Sequence, residues 1–198
     1  MQRVRRAILC AAAVTGIAAG LRAGAIARAA AVAVTPAAGP AAPSPSAVAR
    51  DAPFDRPLRM PIDGVPRSSL HDTFEASRAT GSHEALDIAA PRGTPVRAVD
   101  DGRIAKLFRS VPGGITVYQF DPSARFAYYY AHLDRYADDL REGATVRAGD
   151  VIGYVGTTGS APPDAPHLHF AIFRLGPERA WWRGTPINPY PILRDAGR

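Results

Sequence analysis

The chain has 198 residues, room for one ordinary domain with an appendage, and carries 24 basic against 18 acidic side chains for a formal net charge of +6. Six arginines (Arg3, Arg5, Arg6, Arg22, Arg28, Arg50) and no acid lie in residues 1–50, so the remainder holds 18 charges of each sign. A balanced globular part removes the main support for nucleic acid as a partner, since phosphate neutralisation needs a basic surface. In chain order, residues 2–6 are basic, residues 7–21 are apolar and small residues follow to about position 31. That layout predicts a secretory signal peptide over residues 1–30, the apolar run of 15 residues being shorter than the roughly 20 needed to span a bilayer. An uncleaved N-terminal anchor is the alternative, and it is the only route to a membrane tether that the sequence offers. The single cysteine, Cys10, sits inside this run and reads as a small apolar residue. The exported part is then free of cysteine, so its stability has to come from a core or a bound metal rather than from disulfides.

Residues 31–66 are expected to be a disordered Ala/Pro-rich linker with an irregular lead-in, because AAAVAVTPAAGPAAPSPSAVA buries too little apolar surface to offset its ordering entropy. Over residues 67–198 the pattern changes to short strands and turns. TPVRAV (94–99), GRIAKLF (102–108), ITVYQFD (115–121), RFAYYYAHL (125–133), VIGYVG (151–156) and HLHFAIF (167–173) are rich in β-branched and aromatic residues and are separated by Asp, Gly and Pro turns. Only residues 136–141 read as helical. With no strand–helix–strand rhythm, the expected class is mainly β, a single antiparallel sheet domain.

Five histidines are present: His71, His83, His132, His167 and His169. In His167-Leu168-His169 both imidazoles leave a strand on one face while Leu168 and Phe170 leave on the other. Taken alone, such a pair is more often exposed or part of a core. His83 and Asp87, four apart in HEALD, also share a side; Gly81, Pro91 and Gly93 frame the segment and disfavour a helix. Alone they read as a solvated Asp and an unrelated His. His132 ends the aromatic strand, and His71 has no partner pattern. In combination, two histidines and an aspartate fill three corners of a tetrahedron and leave the fourth open, the arrangement of a catalytic zinc. Two further histidines are then free to handle protons.

Three separated motifs, HEALDIAAPRGTPV, YAHLD and GDVIGYVGTTG followed by PHLHF, resemble in residues and order the lysostaphin-type, LytM-like zinc metallopeptidases that cut the peptide part of peptidoglycan. The resemblance runs from about Leu70 to Pro191. It implies that His83, Asp87 and His169 bind one Zn²⁺, that His132 and His167 are catalytic, and that the sheet carries the metal on the floor of a groove. It also implies a peptidoglycan peptide as substrate and an exported, periplasmic or envelope-associated protein.

Three departures from the family pattern stand out: Ala85 where glycine is usual, an enlarged loop at residues 161–166, and Ala171 where an acid is frequent. Two other functions compete. Degenerate members of the family bind and activate cell-wall amidases without catalysis, and a wall- or carbohydrate-binding module would use Tyr128, Tyr129, Tyr130, Trp181 and Trp182. All five metal and catalytic positions are filled here, which favours hydrolysis. The aromatic residues are expected to serve ordinary core and edge packing.

Overall fold

The computed structural model describes residues 54, 56–78 and 81–196. The expected signal peptide and most of the expected linker lie outside these residues. Eleven strands follow in chain order: β1 (Ser77–Arg78), β2 (Gly81–Ser82), β3 (Leu86–Ala89), β4 (Pro95–Arg97), β5 (Gly102–Ser110), β6 (Gly114–Phe120), β7 (Phe126–Tyr136), β8 (Thr145–Val146), β9 (Val151–Val155), β10 (His167–Leu175) and β11 (Gly184–Ile187). A 3-10 turn at Arg67–Ser69 precedes them and the helix α1 (Pro189–Asp195) follows. The main sheet runs β11-β10-β7-β6-β5-β8; β3 joins it through β10, β9 pairs with β7, and β4 pairs with β9. Every strand pair is antiparallel. The mainly β, antiparallel class expected from the sequence is the class of the fold.

Alternation on β7 and β10 builds the core. Tyr128, Tyr130, Leu168, Phe170 and Ile172 are fully buried on one face of the sheet, where each large side chain contributes about 1.5–3 kcal/mol relative to exposure. The tyrosine hydroxyls do not go unpaired: Tyr128 donates to Asp100 Oδ2 (3.0 Å), Tyr130 donates to Gln119 Oε1 (2.8 Å), and Tyr130 accepts from the Val99 N–H (3.0 Å). Among the described residues no buried side-chain nitrogen or oxygen lacks a partner. The lead-in before residue 67 is packed: Leu58 and Ile62 are buried, the Arg59 N–H donates to the Val99 carbonyl (2.8 Å), and Ile62 bridges Val96.

The short helix expected over residues 136–141 does not form. β7 continues pairing through Tyr136, opposite Gly153, and the chain then turns tightly, with Leu140 N–H donating to the Ala137 carbonyl (3.1 Å). Six residues are too few to offset helix nucleation, even with Tyr136 and Leu140 packed against the core. The helix that does form, α1, starts from local signals: Asn188 accepts from the Tyr190 N–H through its side chain, and Pro189 occupies the first turn. No helix among the described residues is long and apolar enough to cross a membrane.

Candidate metal centre

The face of the sheet opposite the core carries the chemistry. Asp87 on β3 stands directly across from His169 on β10, which in turn pairs with Ala131 on β7. His83 reaches the same place by a different route from the one its spacing suggests. Only Leu86–Ala89 is strand, and the chain turns at Glu84, whose φ is +54°. The shared side of His83 and Asp87 therefore comes from a turn rather than from strand parity. Ala85, at the usual glycine position, is fully buried and keeps a negative φ, so the left-handed residue is its neighbour.

Three ligand atoms converge. His83 Nε2 lies 3.0 Å from His169 Nδ1 and 3.1 Å from Asp87 Oδ1, and His169 Nδ1 lies 3.2 Å from the same oxygen. Tetrahedral coordination at about 2.0–2.2 Å places its donors roughly 3.3–3.6 Å apart. A few tenths of an ångström of relaxation separates the triangle from that geometry, so the two nitrogens and the carboxylate oxygen fit a metal ion. His83, Asp87 and His169 are the one such group among the described residues.

Backbone carbonyls set the histidine tautomers. A carbonyl only accepts, so His83 Nδ1 carries the proton given to Thr73 O (3.0 Å), which leaves Nε2 with its lone pair facing Asp87 and His169. His132 Nδ1 donates in the same way to Thr158 O (2.8 Å), and His167 Nδ1 to Ala165 O (2.8 Å). The three rings of His132, His167 and His169 cluster, with centroids 5.0 Å (His132–His167) and 5.5 Å (His132–His169) apart. His167 Nε2 is 3.8 Å from Asp87 Oδ1. The exposed His71 is not part of the cluster.

His132 depends on a bulge. Ile115 pairs with Leu133 and Val117 with Tyr130, so Ala131 and His132 together stand opposite Thr116. His132 has a φ of +59°, and its N–H donates to Gly113 O (2.9 Å). Strand parity would send residue 132 into the core with Tyr128 and Tyr130; the extra residue aims it at the groove instead. Burial, reinforced by the neighbouring His169 and His167 and opposed by the Thr158 carbonyl, pushes its pKa down to about 4. Burial also lowers His83, with Asp87 opposing. Burial alone would raise the Asp87 carboxyl, but the hydrogen bond from His169 and the charges of His169, His83 and His167 hold it below the usual carboxylate range.

Supporting residues escaped the reading of the sequence. Thr73 accepts from the Asp87 N–H (3.1 Å) and donates to the Ala85 carbonyl (3.1 Å), clamping the HEALD segment. Arg78 holds the outer carboxylate oxygen of Asp87 at 2.8 Å. Thr158 donates to the Leu133 carbonyl (2.6 Å) and accepts from the Ile115 N–H (2.9 Å) while its own carbonyl holds His132. Only Thr158 lay near a visible signal, the glycine-rich GYVGTTG. The groove has a volume of about 680 Å³ and is walled on one side by Ser160, Ala161, Pro162 and Ala165, from the enlarged loop and its start.

An antiparallel sheet bearing a His-Asp-His metal group and two further histidines in one groove is the architecture of a metallopeptidase catalytic domain. The chain belongs to peptidase family M23, whose profile matches residues 81–189. It is 32% identical over 118 residues to the glycyl-glycine endopeptidase ALE-1 of Staphylococcus capitis, covering 59% of this chain and 30% of that protein. To the L-Ala–D-Glu endopeptidase of Bacillus subtilis it is 31% identical over 134 residues, covering 64% of this chain and 40% of the relative. The chain thus matches less than half the length of either. The catalytic domain of the antimicrobial peptidase lysostaphin from Staphylococcus simulans superposes with a TM-score of 0.50 at 28% identity, over 71% of this chain and 88% of that domain.

Proposed function

We propose that this chain is a zinc-dependent endopeptidase that hydrolyses peptide bonds in the stem peptides or crosslinks of peptidoglycan. The observation that carries the reading is the triangle of His83 Nε2, Asp87 Oδ1 and His169 Nδ1 with edges of 3.0–3.2 Å, beside two histidines whose tautomers are fixed. One Zn²⁺ held by these three residues supplies Lewis-acid polarisation of the scissile carbonyl and makes water acidic enough to attack near neutral pH. His132 and His167 each give their Nδ1 proton to a backbone carbonyl, so each offers a bare Nε2 that accepts a proton. Burial keeps His132 neutral at pH 7 and ready for that role. Once protonated, an Nε2–H at the same place donates to the developing oxyanion or to the leaving amine. The whole set of five residues is present, which favours catalysis over amidase regulation.

The relatives named for glycyl-glycine and L-Ala–D-Glu cleavage support a peptidoglycan peptide as the substrate class. Export by residues 1–30 would place the domain in the periplasm or envelope, with the Ala/Pro-rich stretch ahead of the packed Leu58–Ile62 lead-in as its linker. The reading is tested by the zinc content of the purified protein together with chelator-sensitive digestion of sacculi, the released muropeptides being identified by mass spectrometry. Stoichiometric zinc and a single type of new peptide end are expected. A metal-free, inactive protein that binds and activates an amidase would overturn it.

A further inference from the structure

A run of aromatic rings leads away from the metal group along the groove face of the sheet. His169 meets Tyr129 edge-on (centroids 5.9 Å apart), Tyr129 lies tilted against Tyr118 (4.6 Å), and Tyr118 meets Trp181 edge-on (4.9 Å). Trp181 in turn meets Phe108 (5.2 Å) and Trp182 (5.3 Å). Tyr129 faces Tyr118 on β6 and Ala171 on β10 in register, and Ala171 is on the His169 face of β10, so the run follows one face. It ends in solvent: Trp182 is 68% and Phe108 39% exposed, so Trp182 is not part of the core. Beyond His169, the proton handling and metal binding described above use none of these rings.

We propose that Trp182 and Phe108, backed by Trp181, form a binding platform for a sugar ring of the glycan strand. The proposal rests on the peptidoglycan-peptidase reading and adds a subsite to it. A pyranose with equatorial substituents lays a face of C–H bonds on an aromatic plane and keeps its hydroxyls in water, so isolated exposed rings suit it. A protein partner needs a broad surface of about 800 Å² per side, whereas the exposed large apolar side chains among the described residues are only Phe108, Val111 and Trp182. The scale is comparable. Along the ring path Trp182 lies at most about 21 Å from His169, and an extended peptide of five to six residues spans roughly 17–21 Å. A stem peptide cut near its far end at the metal group brings the sugar that bears it to the platform.

Both tryptophans of the chain lie in this run, so intrinsic fluorescence reads the platform directly. The full chain is titrated with a β-1,4-linked N-acetylglucosamine tetramer and with soluble glycan strands stripped of peptide. A saturable emission change is expected, weakened about tenfold by Trp182→Ala or Phe108→Ala and retained in Trp182→Tyr. On sacculi, Trp182→Ala should raise KM about tenfold more than it does on a free stem peptide. No saturable change with peptide-free glycan, in a preparation that cleaves free peptide, overturns the platform. A change produced by peptide alone overturns it too and assigns the rings to the peptide. A glycan-dependent change without any peptide hydrolysis supports the platform and overturns the peptidase reading instead.

Discussion

Asp87 and His169 face each other across the β3–β10 ladder, their ligand atoms 3.2 Å apart. The register of two antiparallel strands thus fixes two thirds of the metal triangle before any side chain chooses a rotamer. His169→Ala removes a donor from a rigid pair, and Asp87→Asn removes its charge. Both variants are expected to lose zinc affinity by more than the about 10–100-fold that changes to outer-shell partners cost. Competition against a chromogenic chelator measures this independently of turnover. His132→Ala should keep its zinc and lose turnover, and wild-type turnover in that variant would remove His132 from the mechanism.

Thr158 governs the placement of His132 through its carbonyl, and its hydroxyl ties the Leu133 carbonyl to the Ile115 N–H. Thr158→Val keeps the shape but leaves both backbone groups without that partner, at an expected cost of about 1–3 kcal/mol in urea unfolding. Turnover should fall further than zinc content. Equal losses of zinc and turnover would mean that Thr158 supports the whole site rather than His132.

The turn that Thr158 meets is the more fragile side. Gly114 has a φ of +65°, and a Cβ there would run into the Thr158 backbone and hydroxyl as well as the Gly159 nitrogen. Gly114→Ala combines a left-handed strain of order 1–3 kcal/mol with a backbone clash that neither turn can relieve alone. The expected result is a greater loss of stability than in Thr158→Val, read as a lower urea midpoint with an unchanged slope.

The strands were legible because alternation survives wherever one face is core: Leu168, Phe170 and Ile172 against His167 and His169 is a pattern that sequence alone displays. His132 was not legible as groove-facing, since its position comes from a bulge and a positive φ at a residue with no glycine to announce it. HEALD pointed to two side chains that the fold does bring together, but through spacing that strand parity does not produce, as Glu84 turns the chain before β3 begins. Thr73 and Arg78 were invisible because their partners lie nine or more residues away and are joined only by tertiary contact. The pair Trp181-Trp182 carries no sequence signal for orientation, and only the fold shows which member turns outward.

Tyr130 tests the core without touching the groove. Its hydroxyl donates to Gln119 Oε1 and accepts from the Val99 N–H in a fully buried position. Tyr130→Phe leaves an acceptor and a donor unpaired, at about 1–3 kcal/mol for each. A urea midpoint lowered accordingly is expected, with zinc affinity unchanged because Asp87 and His169 are held by other strands. A stability equal to wild type would show that water replaces the hydroxyl.

Metal retention should depend on pH in a direction that the histidines set. Imidazole binds metal only when neutral, and an unperturbed imidazole gains its proton below about pH 6.5. Zinc affinity is therefore expected to be level above that pH and to decline as the pH falls. Burial lowers the pKa of His83, so His83 stays neutral and ligand-competent further into acid than a free histidine. Asp87, also lowered, keeps its charge over the same interval. Opening the His83 pocket should move the decline toward neutrality: Thr73→Ala removes the clamp on HEALD that the Thr73 hydroxyl makes with Asp87 N–H and the Ala85 carbonyl. Zinc titrations of wild type and Thr73→Ala between pH 5 and pH 8 measure the shift. Identical profiles would show that the backbone carbonyl of residue 73, which both proteins retain, is sufficient to hold His83 in place.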